Sequence, residues 1–171
     1  MEKLLMNLKK EIFPISLILI LAFARLIPHP PNFTPIVAVA IMSSYFFRNM
    51  YLSFAVIIVS MLLADVFIGF YSNMFFVYLS LLLIAFIFFK ISTKIKLQNL
   101  FIFCFLSSVI FFLISNFGVW ILSGMYEKNL NGLAYCYFLA LPFFLNTILP
   151  TIIFTYSAFI ANNLFSKKAI L

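Results

Sequence analysis

The 171-residue chain is 66% hydrophobic and 9% charged, and its formal net charge is +7. Soluble domains are nearer about 45–50% apolar and about 25% charged, so this composition excludes a soluble enzyme, a disordered protein and a nucleic-acid-binding domain. It predicts an integral membrane protein with a single domain over residues 1–171.

The apolar runs, taken in chain order, predict an all-α protein with six transmembrane helices. A helix needs about 20 apolar residues to cross the hydrocarbon core. The first five candidate spans are Ile12–Ile27, Pro35–Phe47, Leu52–Phe70, Met74–Phe89 and Leu100–Leu122.

The last apolar stretch, Leu133–Phe165, is too long for one crossing and barely long enough for two. Pro142 and Pro150 interrupt it, and a proline breaks or kinks a helix because it lacks an N–H and clashes with the preceding turn. We therefore expect a sixth span from Pro142 to Phe165. Leu133–Leu141 would precede it as an interfacial or re-entrant segment.

The basic residues predict the orientation of the chain. Six crossings place both termini on one side, together with the loops near Arg48 and Lys90–Lys96. Nine of the 11 Lys and Arg residues share that side, and only Arg25 and Lys128 lie on the other. Because cytoplasmic segments carry the excess of basic residues, both termini are predicted to be cytoplasmic.

The second span is short, and a proline-rich stretch precedes it. Thirteen residues rise only about 20 Å, less than the hydrocarbon thickness. Residues Pro28–Pro35, here called the Pro-rich segment, contain four prolines and cannot be helical. If this segment lies at membrane depth, it must be buried in protein or line a wet cavity. The sequence thus predicts an outward-facing cavity, unless the bilayer thins locally or the helix extends past Arg48.

Polar side chains concentrate in the predicted outer half of the spans. Polar groups inside hydrocarbon are costly, so they usually mark function or a helix contact. The candidate ligand-binding residues are Arg25, His29, Asn32, Asp65, Asn116, Trp120, Tyr126 and Asn146.

The charged candidates suggest a pair. Arg25 is expected to pair with Asp65 or to receive an anionic group of a ligand, although it could instead extend to the membrane interface. A carboxylate at the depth of Asp65 must pair, bind a cation or hold a proton. His29 could contact a ligand or simply pack within its loop.

The neutral candidates also have structural alternatives. Asn116 and Trp120 are spaced i, i+4 and therefore share a helix face. Trp120 and Tyr126 could stack on a ligand ring, or Trp120 could belong to an interfacial aromatic belt. Asn32 could form a local turn, and Asn146 could bond across helices.

No catalytic residue, metal site or cofactor is predicted. The sequence has no Walker lysine loop, no zinc-protease motif and no nucleophile elbow. Cys104 and Cys136 lack metal-ligand spacing and are expected to be lone buried thiols. The chain is therefore not expected to be an enzyme.

The stretch Arg25-Leu-Ile-Pro-His-Pro-Pro-Asn-Phe-Thr-Pro35 resembles the signature of an uncharacterised bacterial integral membrane family of unknown function. The resemblance continues at Ala64–Phe70, Asn116–Trp120 and Leu141–Thr147. It implies a multi-pass protein of the bacterial cytoplasmic (inner) membrane.

The layout of the chain also resembles the S components of energy-coupling-factor vitamin transporters. Those proteins have six helices, cytoplasmic termini and a solute cavity near the outer face. The resemblance implies a transmembrane coupling subunit and ATPases as possible partners, besides the solute and membrane lipid.

The resulting expectation is a substrate-binding subunit for uptake of a small solute, of vitamin or precursor type, energised by partner subunits. One alternative is an accessory or assembly subunit without a ligand. Another is a small membrane enzyme acting on a lipid or quinone.

Overall fold

A computed structural model describes residues 12, 15–16, 18–20, 22–91 and 95–168. Within these residues the protein is all-helical, with six helices and no strand. The described residues before Ala24 are helical, and we call them the N-terminal helical segment; a 3-10 turn, Ala24–Leu26, follows. The five later helices are α1 (Ile36–Phe47), α2 (Met50–Ile68), α3 (Met74–Ile91), α4 (Leu100–Leu122) and α5 (Leu130–Lys168).

Four of the helices, α2 to α5, are long and apolar enough to cross a membrane. Only 28–33% of the apolar window of each is buried, as expected if the remaining apolar surface faces lipid. The prediction of six spans is therefore wrong for the described part of the chain. The first predicted span, Ile12–Ile27, falls partly outside the described residues.

The second predicted span forms the short helix α1, which lies at the centre of the bundle. Its 12 residues rise only about 18 Å, and ten of them are buried. Helix α1 contacts all four long helices. It fails as a span because it is too short, and the surrounding helices provide its apolar environment instead of lipid.

Small polar residues allow this close packing around α1. The Ser44 hydroxyl donates to the Ala85 carbonyl oxygen of α3 at 2.7 Å. The Ser53 hydroxyl of α2 donates to the Ser43 carbonyl oxygen at 3.1 Å. These bonds satisfy the buried hydroxyls where the helix backbones approach each other.

The turns between the helices follow from local chemistry. Arg48 adopts a left-handed conformation after α1, and Asn49 then caps α2 by accepting from the Leu52 N–H at 3.1 Å. Gly69 ends α2 with a φ of 102°, which only glycine adopts without strain.

Helix α5 runs without interruption through Pro142 and Pro150. The expected interfacial or re-entrant segment, Leu133–Leu141, is the first part of this helix, so that prediction is wrong. Its turns pack directly on α4, where the Tyr137 hydroxyl donates to the Leu113 carbonyl oxygen at 2.7 Å. Membrane helices tolerate proline when neighbouring helices and side chains compensate for the lost backbone bond.

Candidate functional site

A cavity of about 390 Å³, here called the first cavity, lies where the Pro-rich segment meets the start of α1. Its volume falls in the usual range for small-ligand sites, about 300–1,000 Å³. Five apolar residues line it, namely Ile36, Ile68, Val77, Phe111 and Val119. Eight polar residues complete the wall, namely Arg25, His29, Asn32, Thr34, Tyr71, Asn73, Ser115 and Asn116.

The charged part of this wall is Arg25, whose Nη2 lies 2.9 Å from Oδ1 of Asp65. The Asp65 side chain is fully buried and that of Arg25 is 9% exposed. The Tyr78 hydroxyl donates to Asp65 Oδ2 at 2.7 Å, and Arg25 Nη1 donates to the Met61 sulfur at 3.2 Å. Both oxygens of the buried carboxylate therefore have a stabilising partner, as a buried charge requires.

The Pro-rich segment forms a compact turn over the first cavity. Asn32 has a φ of 64°, a left-handed conformation that asparagine tolerates better than most residues. The Phe33 N–H donates to the Pro30 carbonyl oxygen at 3.0 Å. From α5, Asn146 Nδ2 donates to the Pro31 carbonyl oxygen at 3.1 Å. The segment is thus anchored to the bundle and holds Asn32 at the cavity wall.

The imidazole of His29 is also fixed by backbone groups. Its Nδ1 lies 2.8 Å from the Pro30 carbonyl oxygen, and its Nε2 lies 3.2 Å from the Arg25 carbonyl oxygen. The ring is therefore oriented by its own segment while it forms part of the wall.

Helix α4 contributes two neighbouring polar residues. The Ser115 hydroxyl donates to the Phe111 carbonyl oxygen at 2.6 Å, and Asn116 Nδ2 donates to the Phe112 carbonyl oxygen at 2.8 Å. The Asn116 carboxamide oxygen remains available to a ligand, because no donor in the described part of the chain contacts it.

The turn between α2 and α3 contributes two further wall residues, Tyr71 and Asn73, which were not among the residues predicted from the sequence. Burial raises the pKa of the Tyr71 phenol, the Asp65 carboxylate raises it further, and Arg25 opposes both effects. Tyr71 therefore stays protonated at neutral pH and can donate a hydrogen bond. The polar run Tyr71-Ser72-Asn73, between two apolar spans on the predicted outer side, was the available signal.

A second cavity of about 480 Å³ adjoins the first and shares Asn32, Asn116 and Val119 with it. It lies between α4, α5 and the Pro-rich segment, and its other wall residues include Tyr126, Cys136 and Phe143. The Cys136 thiol is buried and donates to the Asn116 carbonyl oxygen at 3.5 Å.

The structure brings most of the predicted ligand-binding residues together. Four of them line the first cavity, namely Arg25, His29, Asn32 and Asn116, and Tyr126 lines the second. Asp65, Trp120 and Asn146 are not among the wall residues of either cavity. Asp65 instead pairs with the wall residue Arg25. Asn146 donates to the Pro31 carbonyl oxygen and so anchors the Pro-rich segment, which carries the wall residue Asn32.

Trp120 is directed at the α4–α5 loop. Its Nε1 donates to the Glu127 carbonyl oxygen at 2.9 Å, and the Lys128 ammonium lies 5.5 Å from its ring centroid. In the described ranges, no group of three or more His, Cys, Asp or Glu side chains could hold a metal ion.

A family of unknown function, DUF6580, matches residues 6–170, which is nearly the whole chain. Neither the curated proteins nor the solved structures give a significant match to the chain.

Proposed function

This chain belongs to the DUF6580 family, and we propose that it is a substrate-binding membrane subunit for uptake of a small solute. The observation that carries this proposal is the first cavity. Three separate parts of the chain supply its polar wall: the Arg25–Thr34 region, the α2–α3 turn, and α4 at Ser115 and Asn116. Polar groups that converge from separate parts of a chain beside apolar surface are typical of ligand sites.

The orientation of the cavity rests on the distribution of basic residues. The first cavity lies at the bundle end opposite Arg48, Lys90 and Lys96. If the basic end is cytoplasmic, the cavity opens toward the outside of the bacterial inner membrane. A solute could then enter from the extracytoplasmic side.

Energy for uptake would come from partner subunits. The sequence carries no Walker lysine loop of its own. We propose the arrangement of the energy-coupling-factor S components, in which a transmembrane coupling subunit and ATPases complete the transporter. The chain would then contribute binding and not a chemical reaction.

Native mass spectrometry of the protein gently purified from its own membrane tests this proposal. We expect a retained small molecule and a lower occupancy in Asn116→Ala, because a lost hydrogen bond of about 1.4 kcal/mol raises the dissociation constant about tenfold. Asn163→Ala is the matched control, because it makes the same substitution far from the cavity. Asn163 lies about 25 Å further along α5 than Asn146, which contacts the Pro-rich segment. Copurified ATPase subunits would support the transporter assignment.

The same measurement separates the alternatives. Wild-type protein without a retained molecule, under conditions where a control binder keeps its ligand, contradicts the solute-binding function and favours an accessory subunit. A retained lipid or quinone that is chemically converted on incubation favours a membrane enzyme.

A further inference from the structure

We propose that the first cavity accepts a neutral, planar nitrogen heterocycle whose edge alternates N–H and C=O groups, as in a lactam or cyclic imide. This inference names the ligand class and rests on the proposed function. Its basis is a set of three carboxamides in the cavity wall, Asn32, Asn73 and Asn116.

The three carboxamides come from different parts of the fold. Asn32 belongs to the Pro-rich segment, Asn73 directly precedes α3, and Asn116 lies in α4. Their positions around one cavity allow them to contact different edges of the same small molecule. No local sequence motif would place them together.

These carboxamides have unused hydrogen-bonding capacity. Among the described residues, neither the Asn32 nor the Asn73 side chain has a hydrogen-bond partner, and Asn116 uses only one of its donors. A carboxamide presents two N–H donors beside a carbonyl acceptor. A lactam edge carries the complementary pair, so each asparagine can exchange two hydrogen bonds with it.

The apolar part of the wall suits a flat ring. Phe111 is 6% exposed and lines the first cavity together with Ile36 and Val119. An aromatic side chain packs well on the face of a planar heterocycle, while the edge of that heterocycle remains available to the asparagines.

The electrostatics of the site favour a neutral molecule. Arg25 is the charged residue of the wall, and Asp65, at 2.9 Å, already compensates its charge. An anionic ligand would compete with Asp65 for Arg25 and leave that fully buried carboxylate uncompensated. A cationic ligand would find no carboxylate among the wall residues.

Binding measurements on the full chain in lipid nanodiscs test this inference with matched probes. Theobromine carries an imide N–H between two carbonyls, and caffeine is the same ring with that nitrogen methylated. We expect theobromine to bind at least about tenfold more tightly than caffeine, because the methyl group removes a donor and leaves an asparagine oxygen unpaired. Nicotinamide should likewise bind more tightly than nicotinate, its anionic counterpart.

Substitutions of single asparagines test whether theobromine binds at the first cavity. Asn32→Ala and Asn73→Ser should each weaken theobromine binding about tenfold or more, whereas Asn163→Ala should not. Serine at position 73 keeps a small polar residue before α3, and unchanged thermal unfolding of each variant shows that the fold is intact.

Equal affinity for theobromine and caffeine, tighter binding of nicotinate, or no binding of either neutral probe overturns the ligand class. A retained natural molecule that lacks any lactam, imide or amide edge overturns it as well, while leaving the proposed function standing. Absence of any retained molecule in the wild type instead contradicts the proposed function itself.

Discussion

Arg25 and Asp65 form an ion pair of 2.9 Å that connects the 3-10 turn Ala24–Leu26 to α2. The two residues are 40 positions apart in the sequence. Tyr78 of α3 donates to the second oxygen of the same carboxylate. Three elements therefore meet at one buried charge beside the first cavity.

Removing one partner of this pair should be more destabilising than removing both. Asp65→Asn or Arg25→Met alone leaves an uncompensated buried charge, at a cost of about 3–5 kcal/mol in the free energy of unfolding. The double variant should recover much of that loss. Reversible unfolding in detergent, arranged as a double-mutant cycle, measures the coupling. Strictly additive losses would show that the two side chains do not interact.

Tyr78→Phe should destabilise the protein by about 1–3 kcal/mol, because it deprives a buried carboxylate oxygen of its donor at 2.7 Å. Tyr51→Phe is the control, since Tyr51 is 81% exposed and its change should stay within about 0.5 kcal/mol. The same unfolding assay compares them. Equal effects of the two substitutions would mean that the Tyr78 hydroxyl does not stabilise Asp65.

Gly118→Ala should push α3 and α4 apart. A Cβ at position 118 would lie 2.6 Å from the Cβ of Phe76, which cannot move without its backbone. We expect a loss of about 1–3 kcal/mol from overpacking. Adding Phe76→Gly, which removes the clashing Cβ together with the ring, should relieve the clash, so the effect of Gly118→Ala should be much smaller in that background. A loss of the same size in both backgrounds would place the cause elsewhere.

Asn146→Ala should release the Pro-rich segment from α5. The lost hydrogen bond to the Pro31 carbonyl oxygen is worth about 1 kcal/mol, and its loss should permit more frequent opening of the turn that contains Asn32. Hydrogen–deuterium exchange should then quicken at the Phe33 and Thr34 amides, which bond within this segment.

Asn163→Ala serves as the matched control for this exchange experiment and should leave both amides unchanged. Equal exchange in wild type and Asn146→Ala would show that the Pro-rich segment holds its shape without the contact to α5.

The sequence by itself determined the class of the protein and the limits of most long helices. Predicted spans at Leu52–Phe70, Met74–Phe89 and Leu100–Leu122 agree closely with α2, α3 and α4. These limits are local properties, because an apolar run of sufficient length ends where polar or turn-forming residues begin. The sequence also identified four residues of the cavity wall as candidates, because polar side chains are unusual within apolar segments. They are Arg25, His29, Asn32 and Asn116.

Only the tertiary structure decided how these pieces assemble. It placed α1 at the centre of the bundle, where neighbouring helices and not lipid bury it. It also kept α5 continuous through Pro142 and Pro150, because packing on α4 offsets the cost that proline imposes on an isolated helix. Helix packing also placed Tyr71 and Asn73 in the cavity wall. Turns that are distant in the sequence converge only when the helices pack, and local sequence does not encode that packing.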